Sequence, residues 1–140
     1  MPTATDLRLT NVEILDDDHE QLLFALQEIA YGEAVTRAGM DRLIAQVNEH
    51  FEHELPYLQQ VGGALMTHHL AAHGMFLDRL TTVREACEGD QGYARAELVN
   101  LLARFITHTN TDDIDIAEAL KTITPRAAEP ALSLDDIVLN

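Results

Sequence analysis

The chain has 140 residues and a formal net charge of −15, from 24 acids against 9 bases, with 46% hydrophobic and 24% charged residues. That is enough chain and enough apolar material for one folded domain with one core, and too much for a disordered one. The acid excess repels phosphate backbones and anionic lipid, so neither nucleic acid nor a membrane surface is an expected partner.

Helical periodicity predicts four elements in chain order. After an N-terminal arm at residues 1–11, the first helix is expected from about Asp16 to Tyr31. Its stripe is Leu15, Leu22, Leu26 and Ile29, with Gly32 beyond its end. The acidic run Asp16-Asp17-Asp18 is read as capping this helix and suiting its dipole. The second is expected from about Ala38 to Gln60 along Leu43, Val47, Leu58 and Val61, ended by Gly62-Gly63. Pro56 lies inside it, where it removes the hydrogen bond to the Glu52 carbonyl and bends the helix. The third runs from about Ala64 to Glu88 along Leu65, Met66, Phe76, Leu80 and Val83, closed by Gly89. The fourth runs from near Gly92 to about His108 along Leu98, Leu101 and Phe105. Short links make consecutive helices antiparallel neighbours. The expected fold is therefore all-α: an up-down-up-down antiparallel four-helix bundle over residues 12–124. From Pro125 the chain reads as a tail, 125–140. Its apolar end, Leu132 to Leu139, is a candidate contact for the bundle or a partner protein, or else a frayed terminus.

The lone cysteine, Cys87, cannot close an intramolecular disulfide, which fits a reducing compartment. Met1 to Thr10 has no basic start followed by an apolar run, and no segment nears the ~18 apolar residues of a membrane span. A soluble, cytoplasmic protein is the expectation.

The seven histidines are His19, His50, His53, His68, His69, His73 and His108. His19 falls among the stripe leucines of the first helix. His50 and Glu54 fall together on the stripe of the second, His69 and His73 on that of the third, and His108 on that of the fourth. Five imidazoles and a carboxylate thus point at one bundle axis. Each needs a partner once buried, and an apolar core offers none. Metal ions satisfy them together, because imidazole nitrogen and carboxylate oxygen are good ligands. His50-x-x-x-Glu54 and His69-x-x-x-His73 are i, i+4 pairs, whose Cβ atoms lie about 5–6 Å apart on one face. His53 and His68 fall off the stripes and are expected at or near the surface. For a further carboxylate, Asp112 and Asp113 both follow His108. On an ideal helix i+4 lies ~40° from the histidine and i+5 ~140° away, which favours Asp112. Poor helix formers surround both acids, so the residues alone leave the choice open.

The run His19, His50-Phe51-x-x-Glu54, His69-x-x-x-His73-x-x-Phe76, His108-x-x-x-x-Asp113 resembles the hemerythrin signature, and more narrowly that of bacterial single-domain hemerythrins. The likeness covers roughly Val12 to Ile116. It implies a non-haem pair of irons with a solvent-derived oxygen bridge, and dioxygen as the ligand. It implies Asp113 as the last metal ligand. His69, His73 and His108 would hold one iron, His19 and His50 the other, and Glu54 and Asp113 would bridge them. Dioxygen would bind reversibly at the open position of the iron held by His19 and His50. In relatives the position of Phe105 lines the oxygen pocket; Leu23, Phe24, Phe51 and Phe76 are further candidates. The function implied is oxygen carriage, storage or delivery, without catalytic residues. The pattern departs from the family in its missing tryptophan, with Arg104 four residues before His108, in Gly63-Ala64 where Tyr-Pro is common, and in Thr109.

Other readings are weaker on the residues. A four-carboxylate di-iron oxidase or ferritin-like site uses Glu-x-x-His pairs, and no histidine here has a glutamate three residues before it. Tetrahedral zinc needs fewer ligands than these. Oxygen, nitric oxide or redox sensing, and peroxide handling, remain alternatives at the same site; a sensor would also need an output domain.

Overall fold

The computed structural model describes residues 2–128, and these are helical with no strand among them. A short 3-10 turn (Ala4–Asp6) precedes α1 (Glu13–Ala30), α2 (Arg37–Val61), α3 (Gly63–Ala86) and α4 (Gln91–His108). A π-helical turn (Thr109–Asp113) then leads straight into α5 (Ile114–Ala128). Each of the four expected helices is present, with α1 starting three residues earlier than the spacing suggests. The fourth does not stop at His108. It continues through the π turn, and helix extends through Pro125 to Ala128, four residues into the segment expected as a tail. Leu132 to Leu139 lie outside the described residues.

Local chemistry sets the helix ends. The Thr36 hydroxyl accepts from the Gly39 amide at 3.0 Å and starts α2, and the Asp90 carboxylate accepts from the Tyr93 amide at 2.9 Å and starts α4. Gly62, between α2 and α3, and Gly63, the first residue of α3, have φ of +62° and +60°, a conformation that costs any residue with a Cβ. No side chain caps α1. Instead Asp16 accepts from the Thr10 amide, the Thr10 hydroxyl and the Asn11 amide at 2.7–3.0 Å, tying the arm to the first turn. The acidic run is thus only partly a helix-start device, because Asp18 turns inward instead.

Packing divides the interior into two apolar clusters. The larger holds Leu22, Leu26, Val47, Leu80, Leu101 and Phe105 among others. The smaller joins Val12, Leu15, Tyr57, Leu58, Ile116 and Leu120. α1 packs on α2 and α4, α3 on the same two, and α5 on α2. Going along α1 the chain passes from the smaller cluster at Leu15 to the larger at Leu22. Along α2 it returns from Val47 to Leu58, along α3 it runs from Met66 to Phe76, and along α4 and α5 from Phe105 to Ile116. Every expected polar stripe residue lies at the crossing. Five stripe positions fall short of full burial: Leu65 is 40% exposed, and Ile29, Val61, Met66 and Phe76 are only partly buried.

Candidate metal centre

Four helices and the π turn deliver seven side chains to the layer between the clusters. They are His19 from α1, His50 and Glu54 from α2, His69 and His73 from α3, His108 from α4, and Asp113 from the π turn. All are buried except His108, whose side chain is 19% exposed. Their ligand atoms form two groups that share both carboxylates: His69, His73 and His108 with Glu54 and Asp113, and His19 and His50 with the same pair.

The carboxylates divide their oxygens between those groups. Glu54 Oε2 lies 3.1 Å from His50 Nε2 and 3.7 Å from His19 Nε2, while Oε1 lies 3.2 Å from His69 Nε2 and 2.9 Å from His73 Nε2. Asp113 Oδ2 lies 2.8 Å from His19 Nε2, while Oδ1 lies 2.9 Å from His69 Nε2 and 3.1 Å from His108 Nε2. One oxygen per group from each carboxylate is the arrangement a bridge between two cations requires.

Hydrogen bonding alone does not account for this layer. His19 Nε2, His73 Nε2, His108 Nε2 and both Asp113 oxygens are buried without a hydrogen-bond partner, despite their short separations. The atoms are near one another but not aimed at one another. Buried polar groups left in that state are costly. A cation inside each group would receive the lone pairs that face it. The donor set, imidazole nitrogen with carboxylate oxygen, suits a divalent transition metal. The cluster could therefore hold metal ions.

Outer partners fix two of the rings. Asp18 Oδ2 accepts from His50 Nδ1 at 3.0 Å, and Asp112 Oδ2 accepts from His108 Nδ1 at 2.8 Å. With Nδ1 donating outward, Nε2 is the nitrogen left facing the layer, where a cation would take the place of its proton. Asp18 also contacts His53 Nδ1 at 2.7 Å, and His53 is 31% exposed. His68 is exposed, with Nε2 3.7 Å from Asp112. Neither His53 nor His68 belongs to a ligand group.

Charge is finely poised here without a cation. Burial opposes protonation of His50, but Asp18 and Glu54 outweigh it and raise its pKa to about 10. Burial likewise opposes charge on His69, yet Asp113 and Glu54 raise it to about 9. His19 and His108 are raised against burial by Asp113, joined at His19 by Glu54. His73 is lowered, because burial prevails over its contact with Glu54. Burial would raise the two buried carboxyls, but the histidines around them hold Glu54 and Asp113 below the ordinary range.

The π turn settles the geometry of the two acids after His108. A π turn takes in one more residue than an α turn. Asp113, five residues on, therefore lies under His108 on the inner face, 1% exposed. Asp112 meets the outer nitrogen of the same ring. The ideal-helix expectation for Asp112 fails because the winding is not ideal over Thr109–Asp113.

A cavity of about 350 Å³ adjoins the layer, walled by Leu22, Phe51, Phe76 and Phe105 with His50, His73 and His108. Phe51 stacks on His73 at 3.6 Å between ring centres, and Phe105 meets the His19 ring edge-on at 6.1 Å. Leu23 is fully buried in the larger cluster but does not line this cavity; its neighbour Leu22 does. Phe24 is 52% exposed and is no part of the wall. Sequence reasoning missed Asp18 as a partner of His50, because its place in an acidic run suggested a cap. For Asp112, the i+4 spacing from His108 was the signal, and it marks a hydrogen bond to the ring rather than a place in the ligand groups.

No protein-family model, curated protein or solved structure matches this chain.

Proposed function

We propose that the chain is a hemerythrin-like protein that holds two irons in this layer and binds dioxygen reversibly beside them. The observation that carries the reading is the two-and-three division of the histidines about two shared carboxylates, whose oxygens split between the groups. The alternating passage of α1 to α5 between two apolar clusters supports an up-down-up-down order.

A pair of ferrous ions, if bound here, would supply the two electrons that holding dioxygen reversibly requires. The chain's own residues do the rest. Glu54 and Asp113 provide the negative charge that two cations share. Asp18 and Asp112 hold the His50 and His108 rings in the tautomer that presents Nε2. Phe51 and Phe105 cover the histidines with apolar surface and limit the approach of water. His19 and His50 would form the smaller ligand set, one histidine short of the other group, and so would leave more room there for a small ligand. His50 also lines the cavity, which gives a small molecule a way in.

The test is metal analysis with an optical spectrum of the protein, reduced without air and then exposed to it. Two irons per chain, one for each ligand group, are expected. A visible absorption band should appear in air and vanish on reduction. About one zinc per chain and no iron would refute the reading.

A further inference from the structure

The cavity beside the candidate metal centre exceeds what a diatomic needs. At about 350 Å³ it falls within the size range of small-molecule sites. Water occupies about 30 Å³ in the liquid, so this space takes on the order of ten non-hydrogen atoms. Its walls are largely hydrocarbon, from Leu22, Val47, Phe51, Phe76, Leu101 and Phe105.

Two arginines also line it, Arg79 and Arg104. Arg79 is engaged: its guanidinium donates to both Glu97 oxygens at 2.8–3.0 Å. Arg104 is exposed and has neither a hydrogen bond nor an ion pair among the described residues. Among the described residues Arg8, Arg42 and Arg95 also lack a carboxylate partner, but of these cations Arg104 is the one that stands on the cavity wall. The acid on the wall, Asp112, lies eight residues further along, about 12 Å at helical rise, and is bound to His108 Nδ1. One end of the cavity is therefore cationic and the other carries a carboxylate.

We propose that this cavity binds a small amphiphile with an anionic head, of which a medium-chain monocarboxylate is the simplest form. The head pairs with Arg104 at the rim. A tail of about six to eight carbons fills the apolar space between Phe51, Phe76 and Phe105. Asp112 repels the head from the histidine end and so sets the direction of entry. The site goes beyond dioxygen binding and does not depend on which metal the histidines hold.

Calorimetric titration of the full, metal-loaded chain with octanoate, acetate and 1-octanol tests this. Octanoate should bind saturably, one per chain, and acetate should show no saturable heat over the same range. Arg104→Gln should weaken octanoate about five- to tenfold while leaving 1-octanol unchanged, as befits a charge pair at a rim. Arg104→Lys should restore part of the loss. Ala103→Phe, which narrows the cavity, should weaken octanoate and 1-octanol alike. Octanoate affinity unchanged by Arg104→Gln would overturn the proposal. So would acetate binding as tightly as octanoate, since the anion would then sit at the histidines. Heat reports binding without iron or dioxygen, so zinc-loaded protein serves as well, and a failure of the optical test leaves this one intact.

Discussion

Asp112 and Asp113 are chemically identical neighbours with different surroundings. Asp113 is 1% exposed, its oxygens face three histidine nitrogens from both groups, and neither oxygen has a hydrogen bond. Asp112 is 26% exposed and meets a ring nitrogen that points away from the layer. Asp113→Asn should therefore abolish or halve metal uptake, because a neutral amide cannot supply the charge two cations share. Asp112→Asn should keep both metals and weaken their retention modestly, since the amide oxygen still accepts from His108 Nδ1. Bound metal per chain after dialysis against a mild chelator distinguishes the two. Equal loss in both variants would mean that the acids share one role. The same contrast measures what was legible at this scale. Five histidines and Glu54 were readable because each stands where a leucine belongs. Residue types alone left the choice between the two acids open, because it depends on winding, which no residue type encodes; the resemblance, with its five-residue step from His108, pointed to Asp113, the acid that lies in both ligand groups.

That winding belongs to an element, the π turn Thr109–Asp113. An isolated π turn amounts to one residue added to an α-helix. Removing a residue there should restore ordinary winding and leave the following register in place. Asp113 would then stand four residues from His108, on the same face. Deletion of Thr111 is thus expected to keep Ile116 and Leu120 in the smaller cluster and to retain most bound metal. Inserting an alanine after Thr111 should rotate everything beyond it by about 100°, turning Asp113 and Ile116 out together. Thermal unfolding midpoints and metal content of the two variants give the comparison. Insertion tolerated as well as deletion would show that α5 does not depend on its register. The helices themselves were largely legible, because apolar spacing, Thr36, Asp90 and the Gly62-Gly63 pair each act locally. The continuation into α5 was hidden by Thr-His-Thr-Asn-Thr-Asp-Asp. Those residues form helix poorly in isolation, and here Asp113, Ile116 and Leu120 are held by packing and by the histidines instead. Pro56 does not end α2, as expected: the helix passes through it to Val61.

For the whole molecule, the layer links protons, metal and stability. Without metal, His50 and His69 have folded pKa values of about 10 and about 9 against an ordinary 6.5. Raised values mean that protonation favours the folded form. Their contribution is fully present below pH 6.5 and is lost as pH climbs through about 9 and about 10; His19 and His108 act in the same sense. Glu54 and Asp113 have lowered values, from 4.5 and 3.8. Their contribution is present above those ordinary values and disappears as pH falls through the lowered ones. His73, which is lowered, acts against the fold as it takes up a proton. The metal-free protein should therefore be most stable between roughly pH 4.5 and 6.5 and should weaken steadily toward pH 10. A bound metal would reverse the alkaline limb, because a ligand nitrogen must be unprotonated and the ion must displace the protons on His50 and His69. Loading at about pH 7 should thus release protons, measurable with an indicator dye in weak buffer. The gap in unfolding temperature between loaded and metal-free protein should widen from about pH 6 to pH 9, since binding strengthens where the bare fold weakens. A gap that stays constant over that range, with no proton release, would mean that the histidines are already neutral. The layer would then be held together by something other than the charge pairs described above.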